Sequence, residues 1–354
     1  MSADLSRELQ ERVAEAAAAG EKLAIVGGGS KASLGRPVQG TPLNVAGHSG
    51  VVSYEPRELV LTARAGTPLR EIENLLAAQG QMLPFEPPHF GATATLGGSI
   101  ACGLSGPRRP WAGSARDHVL GVRLLNGRAE VLRFGGEVMK NVAGYDLSRL
   151  QAGAFGTLGV LLEVSLKVVP RPAKEITLVQ ERGAADSLAY LTELARRPLP
   201  LSAACHDGAR LYLRLSGAAS AVAQSRGLLG GEIFAEDENF WRDKIKEQRH
   251  GFFAGEMPLW RLSLPPAAPW LELPGKVLLD WAGAQRWLRS EAPAATIRQL
   301  AVAAGGHATL FRGGDRAGEV FQPLPPAMAA LQRRIKHAFD PQGLFNPGRM
   351  YPDL

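Results

Sequence analysis

Cysteine is scarce in this sequence. Cys102 and Cys205 are the two cysteines among 354 residues. Two cysteines cannot build a disulfide framework, and they cannot supply the four thiolates that usually hold an iron–sulfur cluster. The sequence therefore excludes a disulfide scaffold and an iron–sulfur cluster held by this chain alone.

Long apolar runs and basic clusters are also missing. No run of about 18 apolar residues occurs, which excludes a membrane-spanning helix. Residues 1–20 lack the basic head, apolar stretch and cleavage site of a signal peptide, so we expect a cytoplasmic location. The net charge is +6, yet the basic residues are scattered and aromatic residues make up 6%. This composition argues against nucleic-acid binding.

What is present favours a globular protein of two domains. The length of 354 residues exceeds the usual size of one domain, and apolar residues make up 45%. Apolar spacing predicts helices at 5–19, 68–79, 188–195, 219–229 and 327–338. Strands are predicted at 22–26, 51–54, 59–63, 118–125, 128–134, 160–169, 176–180 and 211–215, with a hairpin turn at Asn126-Gly127. Residues 84–113 are rich in small residues and predict a long functional loop.

A run of three glycines follows the first predicted strand. In Val26-Gly27-Gly28-Gly29-Ser30-Lys31, glycine permits backbone angles that let N–H groups converge on an anion. A tight turn without a ligand is the alternative. Gly27-x-Gly29-x-x-Ala32 also fits the Rossmann pattern, but Gly35-Arg36-Pro37 would end the required helix. No acidic residue lies between 40 and 50 to bind a ribose, so we expect no Rossmann site.

A second glycine segment spans residues 91–103. Alternating Ala and Thr with paired glycines leave room for a planar ligand, although small residues also permit close packing of a helix on a sheet. Both interpretations stay open from this segment alone.

Six short motifs follow one another along the chain in a characteristic order. They are Gly27–Gly35, Tyr54-x-Pro56-x-x-Leu59, Gly66, Ala94-Thr95-Leu96-Gly97-Gly98, Asp117-x-Val119-Leu120-Gly121 and Gly156-Thr157-Leu158-Gly159-Val160. This ordered set resembles the FAD domain of the vanillyl-alcohol oxidase / p-cresol methylhydroxylase superfamily. The tail 340–348 resembles its FAD-linked oxidase branch. Residues 102–111 and 140–146 resemble the FAD-binding E-subunit family of bacterial glycolate oxidases.

The resemblance implies an α+β fold. Residues 1–172 would form a PCMH-type FAD-binding domain of two α+β subdomains, with a boundary at Pro170-Arg171-Pro172. Residues 173–300 would form a small α+β cap domain that serves the substrate or an interface. Residues 301–354 would return to the flavin. The likeness is close over residues 20–172 and looser beyond them.

The resemblance also implies FAD held without a covalent bond. Some relatives attach the flavin through a histidine in the glycine turn, where this chain has Ser30 and Lys31. The turn would hold the diphosphate, residues 95–101 would lie beside the ribityl chain and isoalloxazine, and 156–160 would contact the adenosine. The residues expected to bind FAD are Val26, Gly27, Gly28, Gly29, Ser30, Lys31, Gly35, Thr95, Leu96, Gly97, Gly98, Ser99, Ala101, Gly156, Gly159, Val160 and Asn346.

The function implied is that of an FAD-binding subunit of a glycolate dehydrogenase complex. Glycolate would be oxidised to glyoxylate by hydride transfer to FAD, and the electrons would leave through a separate iron–sulfur subunit. A larger FAD subunit would be a second partner, and any membrane contact would come through the complex. The alternatives are a non-catalytic FAD-carrying subunit and a self-sufficient flavin dehydrogenase for another 2-hydroxy acid.

Catalytic residues are not identified by the sequence, which offers candidates only. Arg109 could pair with a substrate carboxylate, and His89 could face the flavin. Lys140 and Tyr145 lie in an unusual polar segment. His307 stands where related dehydrogenases carry a His-rich metal motif, but no second ligand lies beside it, so we expect no metal. The tryptophans of the second half are expected in a core or a subunit interface: Trp241, Trp260, Trp270, Trp281 and Trp287.

Overall fold

A computed structural model describes residues 3–136 and 146–354. Its helices are, in chain order, α1 (Ser6–Ala19), α2 (Leu69–Ala78), α3 (Leu96–Cys102), α4 (Arg109–Ala112), α5 (Ala115–His118), α6 (Leu147–Leu150), α7 (Ala184–Leu194), α8 (Ala219–Leu229), α9 (Asp237–Asn239), α10 (Ala294–Ala303) and α11 (Pro326–Phe339). A π-helix spans Phe240–Lys246, and 3-10 turns span Gly251–Phe253 and Trp281–Gly283.

The strands of the described residues alternate with these helices. They are β1 (Leu23–Val26), β2 (Thr41–Asn44), β3 (Val51–Glu55), β4 (Val60–Arg64), β5 (Gln81–Met82), β6 (Val119–Leu125), β7 (Val131–Gly135), β8 (Val160–Lys167), β9 (Val169–Pro170), β10 (Lys174–Glu181), β11 (Leu201–His206), β12 (Arg210–Gly217), β13 (Glu232–Ile233), β14 (Leu259–Ser263), β15 (Lys276–Asp280), β16 (Gln285–Arg289) and β17 (His307–Arg312).

The chain divides into two compact units. Unit 1 lies within Met1–Ser105, Ser114–Pro170 and Pro323–Leu354, and unit 2 comprises Gly106–Gly113 and Arg171–Gln322. The predicted limit after residue 300 differs from this division. Residues 301–322 belong to unit 2 because β17 pairs with β14 in its sheet.

Unit 1 is built on an antiparallel sheet of order β3-β4-β8-β6-β7. The predicted hairpin at Asn126-Gly127 joins β6 to β7, which pair antiparallel. One core lies between this sheet and α2 and α3. A second core joins α1 to the parallel pair β1–β2, and α1 contributes Leu9, Val13 and Ala16 at helical spacing. The mixed helices and strands confirm the α+β fold, with two cores in the FAD-type unit.

The C-terminal tail of unit 1 is fastened by a buried ion pair. Lys336 Nζ donates to Asp340 Oδ2 at 2.7 Å and to the carbonyls of Thr157 at 2.7 Å and Phe345 at 2.9 Å. Asp340 also accepts from the N–H groups of Leu344 at 2.9 Å and Phe345 at 2.8 Å. Burial lowers the pKa of Lys336, and the Asp340 carboxylate opposes that shift. These bonds satisfy both charges inside the unit.

Unit 2 contains an antiparallel sheet of order β13-β10-β12-β11-β15-β16-β14-β17. Its two apolar clusters are centred on β10–β12 with α7 and α8, and on β14–β17 with α10. Four of the tryptophans are buried, namely Trp241, Trp260, Trp281 and Trp287. The core alternative is therefore correct for these four, and they supply no apolar docking surface.

The segment 84–113 differs from the predicted loop. It contains α3 and α4, although three of the seven residues of α3 are Gly or Ser. The α3 helix forms because Thr95 Oγ1 accepts from the N–H of Gly98 at 3.3 Å and because Leu96 and Ile100 are fully buried. Tertiary packing thus overrides a poor helix propensity.

Among the described residues, none of the helices combines the length and the apolar composition needed to cross a membrane.

The buried ion pair of α11 gives a stability prediction. We expect Lys336→Met to lower the free energy of unfolding by about 3–5 kcal/mol, because it leaves the Asp340 carboxylate buried without its cation. Urea unfolding of the purified full chain measures the loss.

The matched control lies on the same helix. Arg333 pairs with Asp353 at 2.8 Å, and both side chains are about half exposed. Arg333→Met should therefore cost less than about 1 kcal/mol. Equal losses in the two variants would show that the buried pair does not fasten the tail.

Candidate functional site

A cleft of unit 1 opens where β1 ends. Its open volume is about 840 Å³, including the space that is continuous with solvent. The walls come from β1 and the glycine turn, from one face of α3, and from residues 155, 346 and 349. The cleft is therefore an open groove lined mostly by backbone and small side chains.

The three glycines of the turn have different roles. A Cβ atom at Gly28 would overlap the carbonyl oxygen of Thr93, and the Thr93 hydroxyl donates to the Gly28 carbonyl. Glycine at position 28 therefore lets the two glycine segments pack together. Gly29 has φ 72°, and the space beyond its Cα is open. A ligand can thus approach Gly29 from the side on which a Cβ would stand, whereas at Gly28 that side is filled by Thr93.

Positive charge lines the cleft from two sides. Lys31 Nζ donates to the carbonyl of His89 at 3.0 Å. The Arg349 guanidinium donates to the carbonyls of Arg36 at 3.0 Å and Ala32 at 3.1 Å, and burial lowers its pKa. Among the described residues that line the cleft, none is Asp or Glu. Two cations without a carboxylate suit a diphosphate anion.

The α3 helix supplies another wall through Thr95, Gly98 and Cys102. These residues lie three and four positions apart, so they share one face of the helix. Burial raises the pKa of the Cys102 thiol to about 11, and the charges of Lys31 and Arg349 only partly offset this rise. Cys102 is therefore a neutral thiol at pH 7.

Asn346 closes the cleft from the C-terminal tail. Its Oδ1 accepts from the N–H of Ile25 at 2.8 Å, and its Nδ2 donates to the carbonyl of Phe155 at 2.7 Å. A Cβ atom at Gly156 would lie 2.7 Å from Asn346 Nδ2, so glycine at position 156 makes room for the amide. Asn346 thus joins β1, the Phe155 loop and the tail.

The predicted cofactor residues fall into two groups. Those that line the cleft are Val26, Gly27, Gly28, Gly29, Ser30, Lys31, Thr95, Gly98 and Asn346. Those that do not line it are Gly35, Leu96, Gly97, Ser99, Ala101, Gly156, Gly159 and Val160. Their contacts with FAD stay a prediction.

The second group packs the unit together. A Cβ atom at Gly97 would lie 2.7 Å from that of Ala65, and one at Gly159 would lie 2.7 Å from the carbonyl of Leu125. A Cβ atom at Gly35 would lie 3.0 Å from Arg349. The Ala101 carbonyl accepts a hydrogen bond from the N–H of Phe155 at 2.8 Å. Leu96, Ser99 and Val160 are fully buried.

The catalytic candidates are dispersed. The His89 imidazole lies 3.0 Å from the Glu73 carboxylate of α2, measured from Nε2 to Oε2. Arg109 stacks on the ring of Trp281 within unit 2, at 4.3 Å from the centroid. Lys140 and Tyr145 lie outside the described residues. Catalytic roles for these residues stay predictions.

His307 begins β17, the edge strand of the unit 2 sheet. Partial burial lowers its pKa, and the positive charge of Arg261 lowers it further. Among residues 3–136 and 146–354, no group of three His, Cys, Asp or Glu side chains is placed to hold a metal ion. His307 therefore lacks co-ligands in the described part of the chain.

Sequence reasoning missed Arg349, Phe155 and Cys102 as cleft residues. A diphosphate site needs cations, and Arg349 directly follows the Asn346-Pro347-Gly348 motif. Its place beside that motif is the sequence signal that could have identified it as a cleft residue. Phe155 precedes the Gly156 motif. No sequence pattern indicates that either residue reaches β1.

Comparisons with known proteins agree with the architecture. The family described as "FAD binding domain" matches residues 3–135, and "FAD linked oxidases, C-terminal domain" matches residues 277–350. FAD is accordingly the cofactor of this chain. The solved structure of an alkyldihydroxyacetonephosphate synthase has a TM-score of 0.67 at 16% identity. That match covers 96% of this chain and 75% of the synthase, and it shows a shared fold.

Three relatives illustrate the range of similarity. The glycolate oxidase subunit GlcE of Escherichia coli (strain K12) is 50% identical over 351 residues, which cover 99% of both chains. The glycolate oxidase subunit GlcD of Bacillus subtilis (strain 168) is 32% identical over 129 residues, or 36% of this chain and 27% of that one. A D-lactate dehydrogenase of Archaeoglobus fulgidus is 26% identical and covers 82% of this chain and 76% of its own.

The open side of Gly29 gives a test of the diphosphate site. We expect Gly29→Asp to bind FAD about tenfold more weakly than Gly29→Asn, or worse, because only the aspartate repels the diphosphate. The two side chains have nearly the same size, and both tolerate a positive φ. Titration of the apoprotein with FAD, followed by flavin fluorescence, measures the difference. Equal affinities would place the diphosphate elsewhere.

Cys102 gives a test of where the cofactor lies. With a pKa of about 11, its rate of alkylation by iodoacetamide should rise about tenfold per pH unit between pH 8 and pH 10. Bound FAD should slow the labelling, which mass spectrometry can follow.

Cys102→Ser is the control for that labelling. The folded Cys102→Ser protein should not react with iodoacetamide. Its remaining cysteine, Cys205, is 1% exposed, and the pKa of that thiol is raised well above the ordinary value. Labelling of Cys102 that FAD does not slow would remove this face of α3 from the cofactor site.

Proposed function

The chain belongs to the family of FAD-linked oxidases that includes the glycolate oxidase subunit GlcE, and on that premise we propose that it is the FAD-binding subunit of a glycolate-oxidising complex. The overall reaction would convert glycolate to glyoxylate. The observation that carries the proposal is the cationic cleft at the glycine turn, within a chain that matches GlcE over nearly its whole length.

The residues of the cleft fit a flavin dinucleotide. The backbone at Gly29 is open to a phosphate, and Lys31 and Arg349 would balance its charge. Asn346 fixes the distance between β1, which leads into the glycine turn, and the Phe155 loop. Bound FAD would supply the acceptor for a hydride from the α-carbon of glycolate.

The proposal includes FAD that dissociates from the protein. None of the described residues that line the cleft is a histidine. The Cys102 thiol lines it, but a pKa of about 11 keeps this thiol protonated and poorly nucleophilic at pH 7. Acid or heat should therefore release the flavin.

The electrons need an exit from the complex. Cys205 lies in β11 of unit 2, whereas Cys102 lies in unit 1, so the two thiols belong to separate units. A cluster ligated by this chain would need about four thiolates. We therefore propose that a separate iron–sulfur subunit and a larger FAD subunit complete the complex, and that the assembly is cytoplasmic and contacts the membrane only through its other subunits.

A second candidate is a subunit that carries FAD without oxidising the substrate itself. The absence of a metal-binding group among the described residues favours it, because His307 alone cannot polarise a substrate hydroxyl through a metal. In that case the larger flavoprotein would oxidise glycolate.

Reconstitution distinguishes these possibilities. We expect the isolated FAD-loaded chain to oxidise glycolate slowly or not at all with an artificial acceptor, and the complex with both partners to turn over. Complexes built with Gly29→Asp and Gly29→Asn subunits test whether the flavin of this chain is needed. If both support full turnover while the Gly29→Asp subunit holds no FAD, this chain is the non-catalytic subunit.

His307→Ala should leave most of the turnover of the complex intact. A lone histidine without co-ligands holds no catalytic metal. Full-rate, metal-dependent oxidation of glycolate by the isolated chain, lost in His307→Ala, would establish the self-sufficient dehydrogenase instead.

A further inference from the structure

One face of the unit 2 sheet gathers basic side chains. In the pairing of β14 with β17, Arg261 lies opposite Thr309, and Ser263 lies opposite His307. Side chains two residues apart on a strand point to the same face, so Arg261 and His307 are diagonal neighbours. Arg261 also lies opposite Trp287 of β16, and its guanidinium lies 5.8 Å from the ring centroid of Phe311.

Arg109 adds a second guanidinium to this face from α4. It stacks on Trp281, and its charge reaches Arg261. Burial, and after it the charge of Arg109, lower the pKa of Arg261 to about 10. Desolvation and the charge of Arg261 lower the pKa of the neighbouring His307. Two like charges therefore share a partly desolvated region of unit 2.

Among the described residues, the Arg261 side chain forms neither a hydrogen bond nor an ion pair, and its guanidinium lies over the Phe311 ring. By strand register, Asp280 of β15 lies on the same face of the sheet as Arg261. Asp280 accepts instead from the N–H of Trp281 at 2.8 Å and from Gln285 Nε2 at 3.1 Å. A desolvated cation without a partner is costly to a fold.

Other buried arginines of unit 2 do have acceptors. Arg286 donates to the carbonyls of Ala268 at 2.8 Å and Pro269 at 2.7 Å. Arg289 donates to the carbonyl of Phe253 at 3.0 Å. Unlike these arginines, Arg261 keeps its donors available to a ligand.

We propose that Arg261, assisted by Arg109, forms a binding site for the carboxylate of a small organic acid. A guanidinium presents paired N–H donors that match the two oxygens of a carboxylate. The rings of Phe311 and Trp281 under the two guanidiniums form apolar walls that limit the size of the acid. The choice of a 2-hydroxy acid as the ligand rests on the proposed function, whereas the anion site itself rests on unit 2 alone.

Glycolate is the probe for this site. Isothermal titration of the FAD-loaded full chain with glycolate should show binding that Arg261→Gln weakens by about tenfold or more, the usual effect of losing a charged hydrogen-bond donor. The affinity of Arg261→Lys for glycolate should lie between those of the parent and Arg261→Gln, because lysine keeps the charge but lacks the paired donors. Ethylene glycol, which has no carboxylate, should not bind.

Arg226→Gln is the matched control, because it removes one exposed positive charge from α8 of the same unit. It should leave the affinity for glycolate unchanged. Arg261→Gln should unfold at the same temperature as the parent or higher, since it removes an unpaired charge. A lower unfolding temperature with unchanged glycolate affinity would show that Arg261 only supports the fold.

The two proposals fail separately. If the complex oxidises glycolate but Arg261→Gln binds it as the parent does, the anion site is refuted and the proposed function stands. If Arg261→Gln abolishes glycolate binding but no complex oxidises glycolate, the anion site stands and the proposed function fails. Failure of the parent protein to bind glycolate also refutes the anion site.

Discussion

The side-chain amide of Asn346 is the contact that joins the walls of the cleft at the glycine turn. It bridges the N–H of Ile25 and the carbonyl of Phe155, at 2.8 and 2.7 Å, and so joins segments that lie far apart in the chain. The buried pair of Lys336 and Asp340 presents the tail at the correct place, because it fixes the residues that precede Asn346. Without these bonds the tail would leave one side of the cleft open.

The glycines around the cleft serve two physical needs that a sequence motif does not separate. Gly28, Gly97 and Gly156 permit close approach of protein to protein, since a Cβ at each would meet a neighbouring segment. Gly29 instead combines a positive φ with open space. A cofactor motif therefore contains residues that shape the site as well as a residue that the ligand can reach.

Positive side chains are gathered at one place in each unit. The excess of positive charge is modest for the whole chain, yet Lys31 and Arg349 line the cleft of unit 1, and Arg261 and Arg109 share one region of unit 2. Each unit thus offers a place where an anion would be stabilised. The cations at the cleft of unit 1 agree with an anionic cofactor such as FAD.

The sequence by itself determined several of the regular elements and the family. Periodic apolar residues identified α1 and α2, alternation and turn residues identified the β6–β7 hairpin, and the ordered glycine motifs identified an FAD-binding chain. Those signals are local, since they depend on spacing within one segment. The sequence also indicated the glycine turn and Asn346, because their motifs are short and continuous.

Only the tertiary structure decided the rest of the site. The α3 helix was not predictable, because its stability comes from a cap and from buried Leu96 and Ile100 in a stretch of poor helix formers. Arg261 also carries no local signal, and the one local signal for Arg349 was its place after the Asn346-Pro347-Gly348 motif. Their importance lies in which charges and carbonyls surround them, and those neighbours come from segments distant in the chain that only the fold brings together.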